Sequence, residues 1–265
     1  MTDPTTASDP KIDLSALRLQ LTAESEKVQQ QLLQQLATLG NAGENVLMEF
    51  LLQRRFNEVN AAPGENLQEN VNPPNWVDGK AYQLLYTADS PSSKEFLQTY
   101  FPTGIVPLHS ERGIDYTQLQ HLLTVQDFQA ADHMTLQKLC ELAGPAALQR
   151  KWLYFTDVEN FTITDLQTIN TLWLVHSEGN FSFSIQREIW LSLGKNWEQF
   201  WAKIGWKTGN NWTRYPEKFT WNLTAPKGHL PLSNQLRGVR VIAALLAHPA
   251  WVSGTISGAG GNKNT

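Results

Sequence analysis

Two arginines near the C-terminus, Arg237 and Arg240, have a type and spacing that suggest binding chemistry. They are three residues apart, so they would share one face of a helix or of its first turn. Guanidinium groups can bond carboxylates bidentately, so both could hold a single acidic ligand with Asn234 beside them. A basic helix face that meets only solvent is the alternative, and the spacing alone leaves both readings open.

Aromatic and apolar residues in polar segments form the second group. Trp212 and Tyr215 lie in a very polar loop, where their rings either fold back onto the body or line a groove, and neither is favoured. Phe155 and Val158 lie in another predicted loop, residues 152–161, and indicate a concave, partly exposed apolar surface. Large π faces at these positions would suit offset stacking on a flat ligand.

Motifs for catalysis or for a metal site do not stand out. The chain has no nucleophile elbow and no phosphate-binding glycine loop, and Asp132-His133 is the kind of pair that occurs by chance. No two of its six histidines flank a carboxylate at metal-site spacing, and His229 fits a turn histidine bonded to backbone better than a ligand. The single cysteine, Cys140, excludes an internal disulfide framework and a thiolate metal cluster. We therefore expect neither catalysis nor an intrinsic metal.

Charge and hydropathy indicate which partners and which cellular location the protein can have. A net charge of −4 gives no general attraction to nucleic acid. No run of 18 apolar residues could span a membrane, and the acidic N-terminus resembles neither a signal nor a transit peptide. These observations predict a cytoplasmic monomer. Peripheral contact with a membrane such as the thylakoid stays open, although no basic amphipathic helix supports it.

Hydrophobic periodicity predicts an all-α protein. We expect a disordered lead (1–11), an N-terminal helical bundle (12–112), a helical core domain (113–252) and a disordered tail (253–265). A break is expected at Gly40–Gly43, and no self-similarity favours a helical-repeat origin for the bundle. Helices are predicted at about 79–87, 92–101, 164–176, 184–193, 196–204 and 235–247, with core tryptophans at Trp173, Trp190, Trp201 and Trp206.

Several motifs in the second half are too specific to be general helix signals. They are Asp115–Leu123, Asp165–Trp173, Asn180–Gln186, Ile204–Trp206 and Ala225–Pro231. In order and spacing they resemble the genomes-uncoupled (GUN-type) family of tetrapyrrole-binding proteins, over roughly residues 113–251. Two motifs depart from the usual family pattern: in one Asn170 replaces an aspartate, and in the other Asn180 and Ser182 replace an arginine and a glycine.

The resemblance implies a fold and a function. Cyanobacterial-type members place a helical bundle before a core shaped like a cupped hand, which binds protoporphyrin IX or Mg-protoporphyrin IX. They activate magnesium chelatase in chlorophyll biosynthesis through the enzyme's large porphyrin-binding subunit. By position, Phe155 and Val158 resemble the family's apolar loop contacts, while Asn234, Arg237 and Arg240 resemble its polar contacts. Trp212 and Tyr215 are added as stacking candidates.

Three functions therefore compete. The first is a non-catalytic porphyrin-binding regulator for photosynthesis. The second is a protein-interaction adaptor whose aromatic groove takes a peptide and has only incidental porphyrin affinity. The third is a single-stranded nucleic-acid binder that stacks bases on tryptophan, which the net acidity disfavours.

Overall fold

The computed structural model describes residues 14–56, 73–232 and 239–251, and it confirms the all-α class. The lead (1–11) and the tail (253–265) expected from the sequence lie outside these residues. The described helices are α1 (Leu14–Ala23), α2 (Glu26–Ala37), α3 (Gly40–Arg55), α4 (Trp76–Ala88), α5 (Pro91–Tyr100), α6 (Thr117–Thr124), α7 (Phe128–Ala143), α8 (Pro145–Arg150), α9 (Phe155–Val158), α10 (Ile163–His176), α11 (Phe183–Ser192), α12 (Trp197–Lys203) and α13 (Arg240–Ala247).

Helix boundaries in the N-terminal half follow local capping chemistry. Asn75 begins α4 with a capping box, in which its side chain accepts from the N–H of Asp78 and Asp78 accepts from the N–H of Asn75. Ser90 caps α5, whose first residue is Pro91. The predicted break is confirmed at Gly40, because α2 ends at Ala37 and α3 begins at Gly40, whose φ is 58°, but Gly43 lies inside α3. Gly43 serves helix packing instead, since a Cβ there would lie 1.9 Å from the Leu36 carbonyl oxygen of α2.

The core half is held by buried polar groups as well as by apolar packing. Asp165, in the first turn of α10, accepts from the Ser110 hydroxyl at 2.5 Å, the Tyr116 hydroxyl at 2.8 Å and the Glu111 N–H at 3.0 Å. Burial raises the pKa of Asp165, but these hydrogen bonds outweigh it and hold the pKa below its usual value. The carboxylate thereby fixes the segment that precedes α6 against α10. Trp173 is fully buried as predicted.

Two segments expected to be loops contain regular structure. Residues Lys207–Thr208 and Asn211–Trp212 pair as a short antiparallel hairpin, strands β1 and β2. The hairpin carries Trp212, and it was not predicted because two-residue strands leave no periodicity to detect. The other segment, residues 152–161, contains the one-turn helix α9.

The two halves of the chain share one continuous hydrophobic core, which runs from Leu17 to Ala250. Helix α4 packs against both α2 and α10, so it joins the N-terminal helices to the core domain. Gly79 permits this contact, because a Cβ there would lie 2.1 Å from the Val175 carbonyl oxygen. At the edge of the contact Glu178 accepts from Lys80 at 2.8 Å and from Gln30 at 2.5 Å.

We expect Gly79→Ala to destabilise the protein by about 1–3 kcal/mol or more, because the added methyl group meets backbone rather than a side chain that could move. Urea unfolding followed by circular dichroism measures the change. Asn45→Ala, at an exposed position in α3, is the matched control and should be neutral or slightly stabilising. Equal stability of the two variants would show that the α4–α10 contact is looser than described.

Candidate functional site

A turn in the protein interior forms the base of the candidate site. Residues 226–232 include the Gly-His-Leu-Pro motif, and their buried polar groups are bonded by side chains from separate elements. The Gln186 amide of α11 donates to the carbonyls of Gly228 at 3.0 Å and Pro231 at 2.8 Å. The Trp206 indole donates to the His229 carbonyl at 2.7 Å. Buried backbone groups need such partners, so these residues determine the path of the chain.

His229 is a structural residue of this turn. Its Nδ1 lies 2.6 Å from the Ile204 carbonyl oxygen, and its Nε2 lies 3.3 Å from the Thr220 N–H. The carbonyl must accept and the N–H must donate, so Nδ1 carries the proton and Nε2 accepts. Burial lowers the pKa of His229, although the bond to Ile204 opposes the shift, and the ring stays neutral. The prediction of a turn histidine bonded to backbone is confirmed.

Asp132 bonds the other end of the turn. Its Oδ1 accepts from the Leu232 N–H at 2.6 Å, joining α7 to a residue 100 positions later. The side chain is buried, and this desolvation raises the pKa of Asp132 to about 7, against the opposing effect of the Leu232 hydrogen bond. Asp132 thus fixes the Leu232 end of the turn through a buried carboxyl group with a raised pKa.

Trp212 and Tyr215 project from an aromatic cluster above the turn. Trp201 and Trp206 are buried and stack with ring centroids 5.4 Å apart, and Trp212 packs on Trp201 at 5.6 Å. Trp212 keeps 43% of its surface exposed and Tyr215 keeps 46%. Both rings therefore fold partly onto the body and still present a face to solvent. Trp190 is only partly buried, which corrects its prediction as a core residue.

Phe155 and Arg240 meet at the junction of α9 and α13. The Arg240 guanidinium carbon lies 5.7 Å from the centroid of the Phe155 ring, which is 36% exposed. Val158 differs from the expectation of an exposed apolar loop, because it is fully buried in the hydrophobic core. It is the last residue of α9, the one-turn helix that begins at Phe155. Asn234 and Arg237 lie outside the described residues.

Helix α13 connects these two groups of candidate residues. Its Val241 and Leu245 pack into the main core, on which α9 also rests. Its Ile242 and Leu246 pack into a second cluster that contains Trp201, Trp206 and Phe219. The structure therefore brings Phe155 and Arg240 into contact. Trp212 and Tyr215 pack on the aromatic cluster, which contacts the same helix.

Three buried polar residues of the base were not predicted as site residues: Asp132, Gln186 and Trp206. Gln186 and Trp206 stand in the motifs that single out this chain, so their presence in specific runs was the available signal. The sequence signal for Asp132 was weaker: it is a carboxylate on the face of α7 that also carries the buried Phe128, Ala131 and Thr135. Nothing in the local pattern reveals a partner as distant as Leu232.

Asn170, one of the departures from the usual motif, keeps a capping role. Its Oδ1 accepts from the Ser184 N–H at 2.8 Å at the start of α11, and Ser182 caps the same helix by accepting from Ile185 at 3.1 Å. The Asn170 Nδ2 is buried without a hydrogen-bond partner. The departure therefore keeps the hydrogen bond that begins α11 and leaves one buried N–H donor unused.

Among the described residues, no group of three or more His, Cys, Asp and Glu side chains is placed to hold a metal ion. His176 is fully buried beside α4, and the His248 Nε2 lies 3.1 Å from the Phe161 carbonyl oxygen. None of the helices in the described ranges combines the length and apolar character needed to cross a bilayer.

Comparison with known proteins defines the class of protein. Residues 109–249 match the family model described as GUN4-like, and residues 5–102 match the model "ARM-like repeat domain, GUN4-N terminal". The chain belongs to the GUN4 family, which confirms the resemblance found in its motifs. The description of the N-terminal half as ARM-like corrects the expectation that its helices have no repeat origin. Sequence self-similarity was too weak to reveal it.

Individual relatives agree with this assignment. The chain is 49% identical over 239 residues to a Ycf53-like protein of Synechocystis sp., covering 90% of this chain and 97% of that protein. It is 36% identical over 152 residues to the Arabidopsis thaliana protein named "Tetrapyrrole-binding protein, chloroplastic", covering 54% and 57%. The solved structure of GUN4 from Chlamydomonas reinhardtii superposes with a TM-score of 0.53 at 41% identity, covering 56% of this chain and 94% of that chain.

The pKa of Asp132 predicts a pH dependence of folding. Folding raises the pKa of the Asp132 carboxyl, so the contribution of this group to stability is greatest at a pH below its pKa in the unfolded chain. That contribution is lost as the pH rises through the pKa in the folded protein, which is about 7. We therefore expect the wild type to lose stability relative to Asp132→Asn between about pH 4 and 7. Urea unfolding of both proteins across this range measures the difference, and parallel profiles would contradict a buried, titrating Asp132.

Proposed function

We propose that this protein binds protoporphyrin IX and Mg-protoporphyrin IX as a non-catalytic regulator. The main support is that the exposed Phe155 ring lies beside the Arg240 guanidinium. The Arabidopsis relative of this chain is named a tetrapyrrole-binding protein. A porphyrin offers a flat apolar ring and two carboxylates. The exposed faces of Phe155, Trp212 and Tyr215 suit the ring, and Arg240 suits a carboxylate. By sequence, Asn234 and Arg237 would add polar contacts.

The apolar surface would supply most of the affinity. Covering a few hundred Å² of macrocycle contributes a gross free energy on the order of 10 kcal/mol at about 25 cal/mol per Å². Association costs at least about 4 kcal/mol in lost translational and rotational freedom. An exposed arginine–carboxylate pair adds only about 0.2–1 kcal/mol. The aromatic rings would therefore set affinity, while the arginines set orientation and favour acidic porphyrins.

The physiological role that follows is activation of magnesium chelatase in chlorophyll biosynthesis, through the large porphyrin-binding subunit of that enzyme. Membership of the GUN4 family supports a place in tetrapyrrole metabolism, and the chloroplastic relative supports a photosynthetic setting. The competing function is an adaptor that binds a peptide across the same aromatic rings. Peptide binding across the aromatic rings does not require the arginines, whereas porphyrin binding uses them to hold a carboxylate. Charge reversal at Arg240 therefore distinguishes the porphyrin-binding function from the adaptor.

We expect saturable one-to-one binding of Mg-protoporphyrin IX, with about three- to tenfold weaker affinity in Arg240→Glu, because an attraction to carboxylate becomes a repulsion. Tryptophan quenching and the Soret band follow the titration. Lys94→Glu makes the same charge change on α5, where Lys94 pairs with Asp89, and should bind like the wild type. Equal binding by Arg240→Glu and Lys94→Glu would favour the adaptor.

We also expect the protein to raise the rate at which purified magnesium chelatase inserts Mg²⁺ at limiting protoporphyrin IX. Arg240→Glu should need about three- to tenfold more porphyrin for the same stimulation, since it lowers occupancy and leaves the fold intact. Lys94→Glu is again the control. Full porphyrin binding without any stimulation would exclude the chelatase role and leave a porphyrin carrier.

A further inference from the structure

A single arginine holds the segment that leads into α9. Arg150 is the last residue of α8, and the left-handed conformation of Lys151 (φ 60°) ends that helix. The Arg150 Nε donates to the Trp152 carbonyl oxygen at 2.8 Å, and its Nη2 forms an ion pair with the Asp157 carboxylate. Arg150 is therefore bonded to the chain on both sides of Phe155.

The same pair begins α9. The Asp157 Oδ2, which is the oxygen paired with Arg150, also accepts from the Tyr154 N–H at 2.7 Å. The Arg150 guanidinium carbon lies 4.5 Å from the centroid of the Tyr154 ring and 5.2 Å from that of the Trp152 ring. These two rings contact each other edge-on, with centroids 4.3 Å apart. One guanidinium thus holds the start of α9 by an ion pair, a hydrogen bond and two ring contacts.

Helix α9 needs support from outside itself. It has only four residues, and a helix of one turn has little stability of its own because too few hydrogen bonds compensate for the ordering of its backbone. Val158 anchors its last residue in the hydrophobic core. Phe155 is at the opposite end, where its exposed ring lies 5.7 Å from the Arg240 guanidinium. The contacts of Arg150 and Asp157 are at this end.

We propose that Arg150 and Asp157 are positioning residues, which hold the Phe155 ring beside Arg240 before the porphyrin arrives. The inference rests on the proposed function, because it takes Phe155 and Arg240 as contacts of the porphyrin. A surface that is already ordered loses less conformational freedom on association and so binds more tightly. When the ion pair is broken, α9 holds this position for only part of the time, and affinity falls in proportion to that fraction.

The two members of the pair separate positioning from long-range electrostatics. Arg150→Met removes a positive charge and Asp157→Asn removes a negative charge. A direct charge effect on a ligand with two carboxylates would therefore weaken binding in the first variant and strengthen it in the second. A positioning role weakens binding in both. Asparagine retains an acceptor for the Tyr154 N–H, so Asp157→Asn tests the ion pair rather than the start of the helix.

The first experiment titrates Mg-protoporphyrin IX into the wild type, Arg150→Met, Asp157→Asn and Lys138→Met, and follows tryptophan quenching and the Soret band. We expect both pair variants to bind about three- to tenfold more weakly, as they would if α9 were in place for roughly a tenth to a third of the time. Lys138→Met is the matched control, because it breaks an ion pair with Glu141 on α7 whose side chains are similarly buried, and it should bind like the wild type. Shifts of opposite sign in the two pair variants would overturn the proposal.

A double-mutant cycle then shows whether Arg150 acts through Phe155. Arg150→Met should weaken binding little further once Phe155→Ala has removed the ring. In Trp212→Ala it should keep its full three- to tenfold effect, because Trp212 lies on β2, an element separate from α8 and α9. An equal loss in both backgrounds would indicate a general loosening of the fold and would overturn the positioning role.

The outcomes for this role and for the porphyrin function are distinct. Urea unfolding of each variant establishes that it is folded under the conditions of the titration. Saturable binding of the same affinity in the wild type and in both pair variants would overturn the positioning role and leave the porphyrin function standing. Absence of saturable binding by the wild type would overturn both.

Discussion

The site depends on one constraint, which is that a turn crossing the protein interior must have its backbone polar groups satisfied. Each buried N–H or C=O without a partner would cost about 1–3 kcal/mol. Here the partners are the side chains of Asp132, Gln186 and Trp206, which come from three separate parts of the chain. Each bond therefore fixes the turn and also fixes one element relative to the others. The aromatic cluster and α13 can present their outer faces to a ligand because the layer beneath them is determined in this way.

In this arrangement, one set of residues holds the shape of the candidate site and another set is exposed to contact a ligand. Val158, Trp201 and Trp206 are buried and hold the shape of the surface, whereas Phe155, Trp212 and Tyr215 keep exposed faces. The N-terminal helices add to the support through α4, which packs on α10 at Gly79. The N-terminal helices and the elements that carry the candidate site therefore pack on one hydrophobic core, which runs from Leu17 to Ala250.

Helical periodicity and capping signals were sufficient to predict the all-α class and most helices of the core domain, because these are local properties of the chain. The predicted break was right at Gly40 but not at Gly43, since a glycine that separates two helices and one that permits close helix packing look alike in sequence. Val158 was expected at the surface because a one-turn helix has too few residues to show which side is buried. Asp132 could not be assigned a role, because its partner Leu232 is 100 residues away. Site residues that act through distant backbone contacts leave no local signature.

Hydrogen–deuterium exchange with and without Mg-protoporphyrin IX would show whether a fixed turn carries an exposed surface that binds the ligand. We expect the ligand to slow exchange at α9, at the 207–212 hairpin and at the start of α13. The amides of residues 228–232 should exchange slowly already in the free protein and change little. Protection confined to α7 and α8, or fast exchange of the turn in the free protein, would contradict these expectations.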